Sequence, residues 1–168
     1  LEDTLSTFLL MGTLNQPNVQ VIDVPLIPIE ERTEGSAVIW FAANLSAIPM
    51  VDLYLIDSGT ALGDSAPLVS LDSGNFTSAL TVDAGEELRL IITIAGSQDI
   101  VFDSGQISIT DKSIDLFALV DDFGPGATTR VDVIRSNSAT GSIMPDIGQT
   151  TVTRVANYSS LGPLDVVI

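Results

Sequence analysis

Apolar residues in this chain fall in short runs that alternate with polar ones at a period of two, the spacing of a strand with one buried face. The alternation is clearest in Leu88-Arg89-Leu90-Ile91-Ile92-Thr93-Ile94 and in Gln106-Ile107-Ser108-Ile109-Thr110. The runs are rich in Val, Ile, Leu, Thr and Phe, and Gly, Pro, Asp, Asn and Ser bound them. This pattern predicts strands over 6–11, 19–24, 37–43, 51–56, 67–71, 76–82, 87–94, 101–110, 114–120, 130–135, 151–156 and 164–167. No stretch combines a helical stripe with a cap. The expected class is therefore all-β, an antiparallel β-sandwich with Ig-like or transthyretin-like layering, in which inward residues of two sheets form the core. Expected core positions include Val38, Trp40, Leu53, Leu55, Leu80, Leu90, Ile92, Ile94, Ile107, Ile109, Phe117 and Leu119.

The turn chemistry agrees. Asp57-Ser58-Gly59, Asp72-Ser73-Gly74, Asp83-Ala84-Gly85 and Asp103-Ser104-Gly105 each pair an Asp with a Gly two places on. Asp bonds its own backbone two residues along and Gly accepts positive φ, so these units read as turns. An EF-hand loop needs alternating oxygen ligands, then Gly, then a Glu at the twelfth position, and none of the four continues that way.

An internal repeat organises the chain. Asn44 and Asn157 each begin an Asn-x-Ser string, and Asp52 and Asp165 each sit in an apolar run after a Pro; both pairs are 113 residues apart. Leu5-Ser6-Thr7-Phe8-Leu9-Leu10-Met11 likewise resembles Ile114-Asp115-Leu116-Phe117-Ala118-Leu119-Val120, 109 residues on. A period of about 110 residues is a domain rather than a solenoid unit. Residues 1–33 are then the terminal strands of a preceding repeat, 36–135 a complete β-sandwich repeat, and 150–168 the first strands of a following one. Pro25, Pro28 and Glu30-Glu31-Arg32 mark one linker and 136–148 a second. Strand edges left by incomplete repeats seek partners, so 1–24 and 151–168 are expected to associate, as a composite second sandwich or by exchange between chains.

The Asn44-Leu45-Ser46, Pro49 and Val51-Asp52-Leu53-Tyr54-Leu55 string resembles the opening of the bacterial DUF4397 domain, Arg-Val-x-Asn-Ala-Ser followed by Pro-x-Val-Asp-Val-Tyr. Leu80-Thr81-Val82-Asp83-Ala84-Gly85 resembles that family's later Pro-Ala-Gly turn, with Asp83 where Pro is usual. Ile39-Trp40-Phe41 departs from the usual Arg-Val, which Arg154-Val155 restores. The resemblance covers 37–120 and begins again at 152–168. It implies tandem β-sandwiches in exported or cell-surface bacterial proteins, and it carries over no catalytic residue.

Charge narrows the partners. The 168 residues hold 22 Asp and Glu against 6 Lys and Arg, a net charge of −16. Such a surface repels nucleic acid and anionic lipid, so neither nucleic-acid binding nor membrane insertion is expected. No apolar run is long enough to span a bilayer. The expected location is extracellular, cell-surface or periplasmic, with any signal peptide removed or lying outside this sequence.

With no Cys and no His, disulfides, thiolate or His-ligated metal sites, and Ser-His or Cys-His nucleophiles are excluded. No phosphate-binding Gly motif occurs. Lys112 beside Ser113 reads as a turn rather than a Ser-Lys nucleophile pair. Carboxylates are the remaining catalytic route, and a glycosidase would hold two of them about 5–10 Å apart across a cleft. Asp52 and Asp165 are equivalents in different repeats and so form no such pair. Asp52 is read as an edge or solvent-facing strand position, or as making a bond to a neighbouring loop.

No catalytic, cofactor or metal residue is therefore assigned. The expected function is a non-enzymatic structural or adhesive module with an unidentified protein or glycan partner. The alternative is a carbohydrate-binding module using exposed aromatics. Its possible contacts are Trp40, Asn44, Tyr54, Asn157 and Tyr158, and solvent exposure of Trp40 separates the two readings. The Asn-x-Ser/Thr strings at Asn44, Asn75 and Asn157 are glycosylation acceptors only in a host with that machinery.

Overall fold

The computed structural model describes residues 4–13, 16–25, 28–121, 130–137 and 140–148. Among them there is no α-helix, only two 3₁₀ turns, Ile29–Glu31 and Leu62–Asp64. The strands are β1 (Thr4–Thr13), β2 (Gln16–Pro25), β3 (Ser36–Asn44), β4 (Met50–Asp57), β5 (Val69–Asp72), β6 (Leu80–Asp83), β7 (Gly85–Ile94), β8 (Ile100–Ile109), β9 (Ile114–Asp121), β10 (Val131–Asn137) and β11 (Gly141–Ile143). Strands β1 and β2 form an antiparallel hairpin of their own. The others form a five-stranded sheet, β11-β10-β9-β3-β6, and a four-stranded sheet, β5-β4-β7-β8. The expected all-β sandwich is what the sequence folds into.

Pairing is antiparallel throughout except between β3 and β9, which run parallel from Val38↔Ile114 to Asn44↔Val120. The first strand of the sandwich thus lies beside the seventh, β9, whereas the immunoglobulin constant arrangement groups its strands as ABED and CFG. A consistent polarity follows. Strands β3, β7 and β9 begin at one end, here the lower, and β4, β8 and β10 begin at the upper.

Ile39, Phe41, Val51, Leu53, Leu90, Ile92, Phe102, Ile109, Phe117, Leu119, Val131 and Val133 fill the space between the sheets. The Phe41 and Phe117 rings stack with centroids 5.3 Å apart, joining β3 to β9 at the centre. Leu55, Leu80, Leu88, Ile94 and Ile107 pack at the margins of this core, half-buried.

Three expectations change. Val38 and Trp40 do not point into the inter-sheet core; Ile39 and Phe41 do, and Trp40 joins Ala42, Ile114 and Leu116 in a second cluster on the outer face. The reason is that Ala37-Val38-Ile39-Trp40-Phe41-Ala42-Ala43 is apolar throughout. It suits a central, parallel-paired strand buried on both faces, and it carries no alternation to fix its phase. Second, 136–148 is no linker. It contains β11, buries Met144 in the core and climbs back along β10, with Met144 N–H donating to Val133 O at 2.8 Å. The sandwich therefore extends beyond 135 to Gly148. Third, Asp103-Ser104-Gly105 is not a turn but lies inside β8, at an irregularity of the β7–β8 ladder.

The strand expected over 76–82 begins late. Phe76 makes an isolated bridge to Ala42. Thr77 exchanges bonds with Phe41, whose N–H donates to Thr77 Oγ1 at 3.1 Å while Thr77 N–H donates to Phe41 O at 2.8 Å. The strands expected over 151–156 and 164–167 lie outside the described residues.

Candidate functional site

A cleft of about 480 Å³ opens at the lower end where the end of β4 faces the end of β6. Leu55, Leu68, Val82 and Leu88 form its apolar wall, and Thr60, Thr81, Asp57 and Asp83 add polar groups. Asp57 and Asp83 are both exposed. An acid–base pair of carboxylates needs unequal surroundings, and these two share one environment open to water.

The aromatic candidates do not present faces. Trp40 is only 7% exposed and Tyr54 8%, so neither ring is available as a sugar platform. Asn44 is half-buried at the end of β3. The corner after it is fixed by Leu45 N–H donating to Ser73 Oγ at 2.8 Å and Ser46 N–H donating to the Asp121 carboxylate at 3.0 Å. Asn157 and Tyr158 lie outside the described residues. Of the three described candidates, Trp40 and Asn44 lie on the five-stranded sheet and Tyr54 on the four-stranded one, so they do not form one site.

Asp52 is neither solvent-facing nor free. It is buried on the outer face of the four-stranded sheet, where it accepts bonds from Ser70 Oγ and from the N–H of Gly96 at 2.8 Å. Gly96, at φ 73, belongs to the turn between β7 and β8. An Asp inside an apolar strand here ties β5 and that turn to β4.

Two ion pairs close the sandwich where β8 approaches β10. Arg89 on β7 holds Asp103 in a forked pair, its Nε 2.8 Å from Oδ1. Gly105, at φ 62, donates its N–H to the same carboxylate at 3.0 Å. Arg130, just before β10, grips Asp146 by one oxygen, its Nε, at 2.9 Å, and its Nη2 both donating to Oδ2. Asp146 in turn accepts from the Asp103 N–H at 3.2 Å, and Ile147 N–H donates to Asp103 O at 2.8 Å. Burial pushes the Asp103 carboxyl up, but the bonds from Arg89 and Gly105 and the charges of Arg89 and Arg130 outweigh it, leaving the group below its ordinary value. The bond to Asp103 raises the Arg89 guanidinium further.

A third pair sits at the lower end. Asp115, 1% exposed, accepts from Arg135 Nε at 2.8 Å and from Ser113 Oγ at 2.6 Å. Arg135 also donates to Ser108 O at 2.8 Å, and its guanidinium carbon lies 5.6 Å from the Phe117 ring centre. The Ser113 hydroxyl is thereby engaged with Asp115. Lys112 occupies the turn at φ 58, where its backbone O accepts from Arg32 at 2.6 Å.

Sequence reasoning missed these three pairs, although a signal existed. The chain has only 6 cationic residues, and Arg89, Arg130 and Arg135 all fall in or beside apolar strands, where a guanidinium needs a carboxylate. Among the described residues, no three of His, Cys, Asp and Glu converge as a cation site. Nor is any helix among them long and apolar enough to cross a membrane. Comparison with family models, with curated proteins and with solved structures finds no match to any of them.

Proposed function

We propose that the chain is a non-enzymatic structural or adhesive module of a secreted or cell-surface bacterial tandem-repeat protein, built of DUF4397-like sandwiches. The observation that carries this reading is how the buried carboxylates are used. Asp52, Asp103, Asp115 and Asp146 each accept bonds from neighbouring strands or loops, so they hold the sandwich together rather than face a cleft. The internal repeat and the acidic surface support a spacer in an exported array. The burial of Trp40 and Tyr54 counts against the carbohydrate-binding alternative.

The test has two arms. Protease added to intact cells carrying the parent protein should remove it; protection until lysis would place it inside. The intact tandem array, screened against glycans and surface proteins with and without calcium, should retain a protein partner. Retention of a defined glycan would favour the alternative, and turnover of a glycan substrate would overturn both.

A further inference from the structure

We propose that the outer edge of β6 and the cleft beside it receive an extended segment of a partner protein, apolar at alternate positions and ending in Lys or Arg where Asp57 and Asp83 stand. The hydrogen bonds around β3 decide which peptide groups of β6 point outward. Val38 N–H donates to Ser113 O at 3.0 Å and Lys112 N–H to Ser36 O at 2.7 Å, so the even residues of β3 bond towards β9. Ala84 N–H donates to Gly35 O at 2.9 Å, so the odd ones bond towards β6. With Ala37 opposite Val82 and Ile39 opposite Leu80, the peptide groups of Val82 and Leu80 face β3, and those of Thr81 and Asp83 face the other way. β6 is the last strand of its sheet. Among the described residues no backbone bond reaches Thr81 or Asp83 from that side.

A short edge strand discourages pairing by its length alone. The cleft makes this one different. β5 pairs with β4 only as far as Leu53, and below that point β4 and β6 stand apart across the cleft of about 480 Å³. Leu55 and Leu88 are only half-buried there, and Leu68 is 38% exposed. A strand added to β6 continues the five-stranded sheet. Every second side chain of it then points between the sheets, beside Val82 and towards Leu55, Leu68 and Leu88. Burial of those side chains favours the added strand, and backbone bonds to Thr81 and Asp83 set its register. β4 offers a poorer edge, because Asp57 O already accepts from Thr60 N–H at 2.9 Å.

Charge selects the partner. Asp57 and Asp83, both exposed, stand at the lower end of the cleft, and no Lys or Arg is among the residues lining it. Arg32 and Lys112 border Thr81 in a separate pocket, where Arg32 donates to Lys112 O at 2.6 Å. A basic end on the incoming segment therefore meets two carboxylates that have no cation of their own in the cleft. A second copy of this chain is the poorer occupant, because each copy carries a net charge of −16 and like charges oppose the contact. The inference rests on the protein-contact part of the proposed function and not on the tandem repeat.

The probes are the capped, labelled peptide Thr-Val-Thr-Val-Lys-Lys and the same residues in reverse order, one for each strand direction, titrated into the whole chain. Saturable binding of one of them is expected, weakening as salt rises. Glu in place of both Lys should abolish it. Methylating alternate peptide nitrogens should abolish it in one phase, the one facing β6, and spare it in the other. Thr81→Pro removes an outward N–H and leaves the bonds to β3 whole, so it should weaken binding about tenfold or more with thermal unfolding unchanged. Asp57→Lys combined with Asp83→Lys should act likewise, and Asp99→Lys, in the turn at the upper end, should not. Equal binding of the Glu peptide, loss in both methylation phases or in neither, full binding by Thr81→Pro, or no binding of either peptide at millimolar concentration would each overturn the inference. Self-association of the chain that Thr81→Pro abolishes would assign the edge to a second copy and overturn the choice of partner. A protein partner retained equally by Thr81→Pro would remove this site and leave the module reading standing.

Discussion

Thr93 shows what a single buried atom costs. It is fully buried on the outer face of β7, and its Oγ1 has no hydrogen-bond partner. Val has the same shape without the hydroxyl, so Thr93→Val removes an unsatisfied group and leaves packing intact. Stability should rise by about 1 kcal/mol, read as a higher denaturant midpoint at unchanged slope; a fall would mean the hydroxyl has a partner in solution. The Asp115–Arg135 pair behaves in the opposite way, and its two halves are unequal. Arg135 keeps 22% of its side chain in water and Asp115 keeps 1%. Arg135→Met strands a buried carboxylate and should cost about 3–5 kcal/mol. Asp115→Asn leaves a guanidinium that can still reach solvent and should cost about 1–3 kcal/mol. Chemical denaturation of both variants checks the order, and equal losses would show that the pair is not this asymmetric.

Among the elements, β8 departs most from its sequence pattern. Asp103-Ser104-Gly105 has the composition of a turn, yet it forms an irregularity within a ten-residue strand. Gly105 takes φ 62, and a Cβ there would lie 2.8 Å from Ile147 Cγ2. Gly105→Ala therefore meets backbone strain and a close contact together, and should cost about 1–2 kcal/mol. Gly59→Ala, in a turn with open space around it, is the control and should change stability little. The contrast also explains how much was legible. Strand positions from β1 to β10 followed from alternation and turn residues, because a half-buried strand records its environment every second residue. The phase of β3 did not, because a run apolar on both faces records no side. β11 was missed because three residues are too few for a pattern. The carboxylates of the buried pairs were hidden because an Asp in a turn-like string reads the same whether it caps a loop or meets a distant Arg. The burial of Trp40 and Tyr54 was hidden for a related reason: aromatic residues in strands signal burial at least as often as display.

For the molecule as a whole, the acidic balance and the Asp103 site act in opposite directions as pH falls. At neutral pH the net charge of −16 makes the compact state repel itself, and mild acidification relieves that. Asp103 works against this at lower pH. Its folded carboxyl titrates below its ordinary value because the bonds and charges of its arginines outweigh burial. The unfolded chain therefore takes up that proton first as pH drops. The stabilisation is complete above the unfolded value, about 3.9, and disappears as pH falls through the folded one. Stability should thus hold or rise from pH 7 towards about 5 and fall steeply below about 4. Asp103→Asn should lower stability at pH 7 and flatten the acid limb, so that the two curves converge at the lowest pH. Melting the two proteins across that range is decisive, and parallel curves would show that the Arg89–Asp103 pair contributes nothing to the acid transition. Asp103 holds Asp146 and Ile147 through its main-chain N–H and O, which Asp103→Asn keeps. Residues 146–148 should therefore stay docked on β8 in the variant, and protease cleavage there should not precede global unfolding.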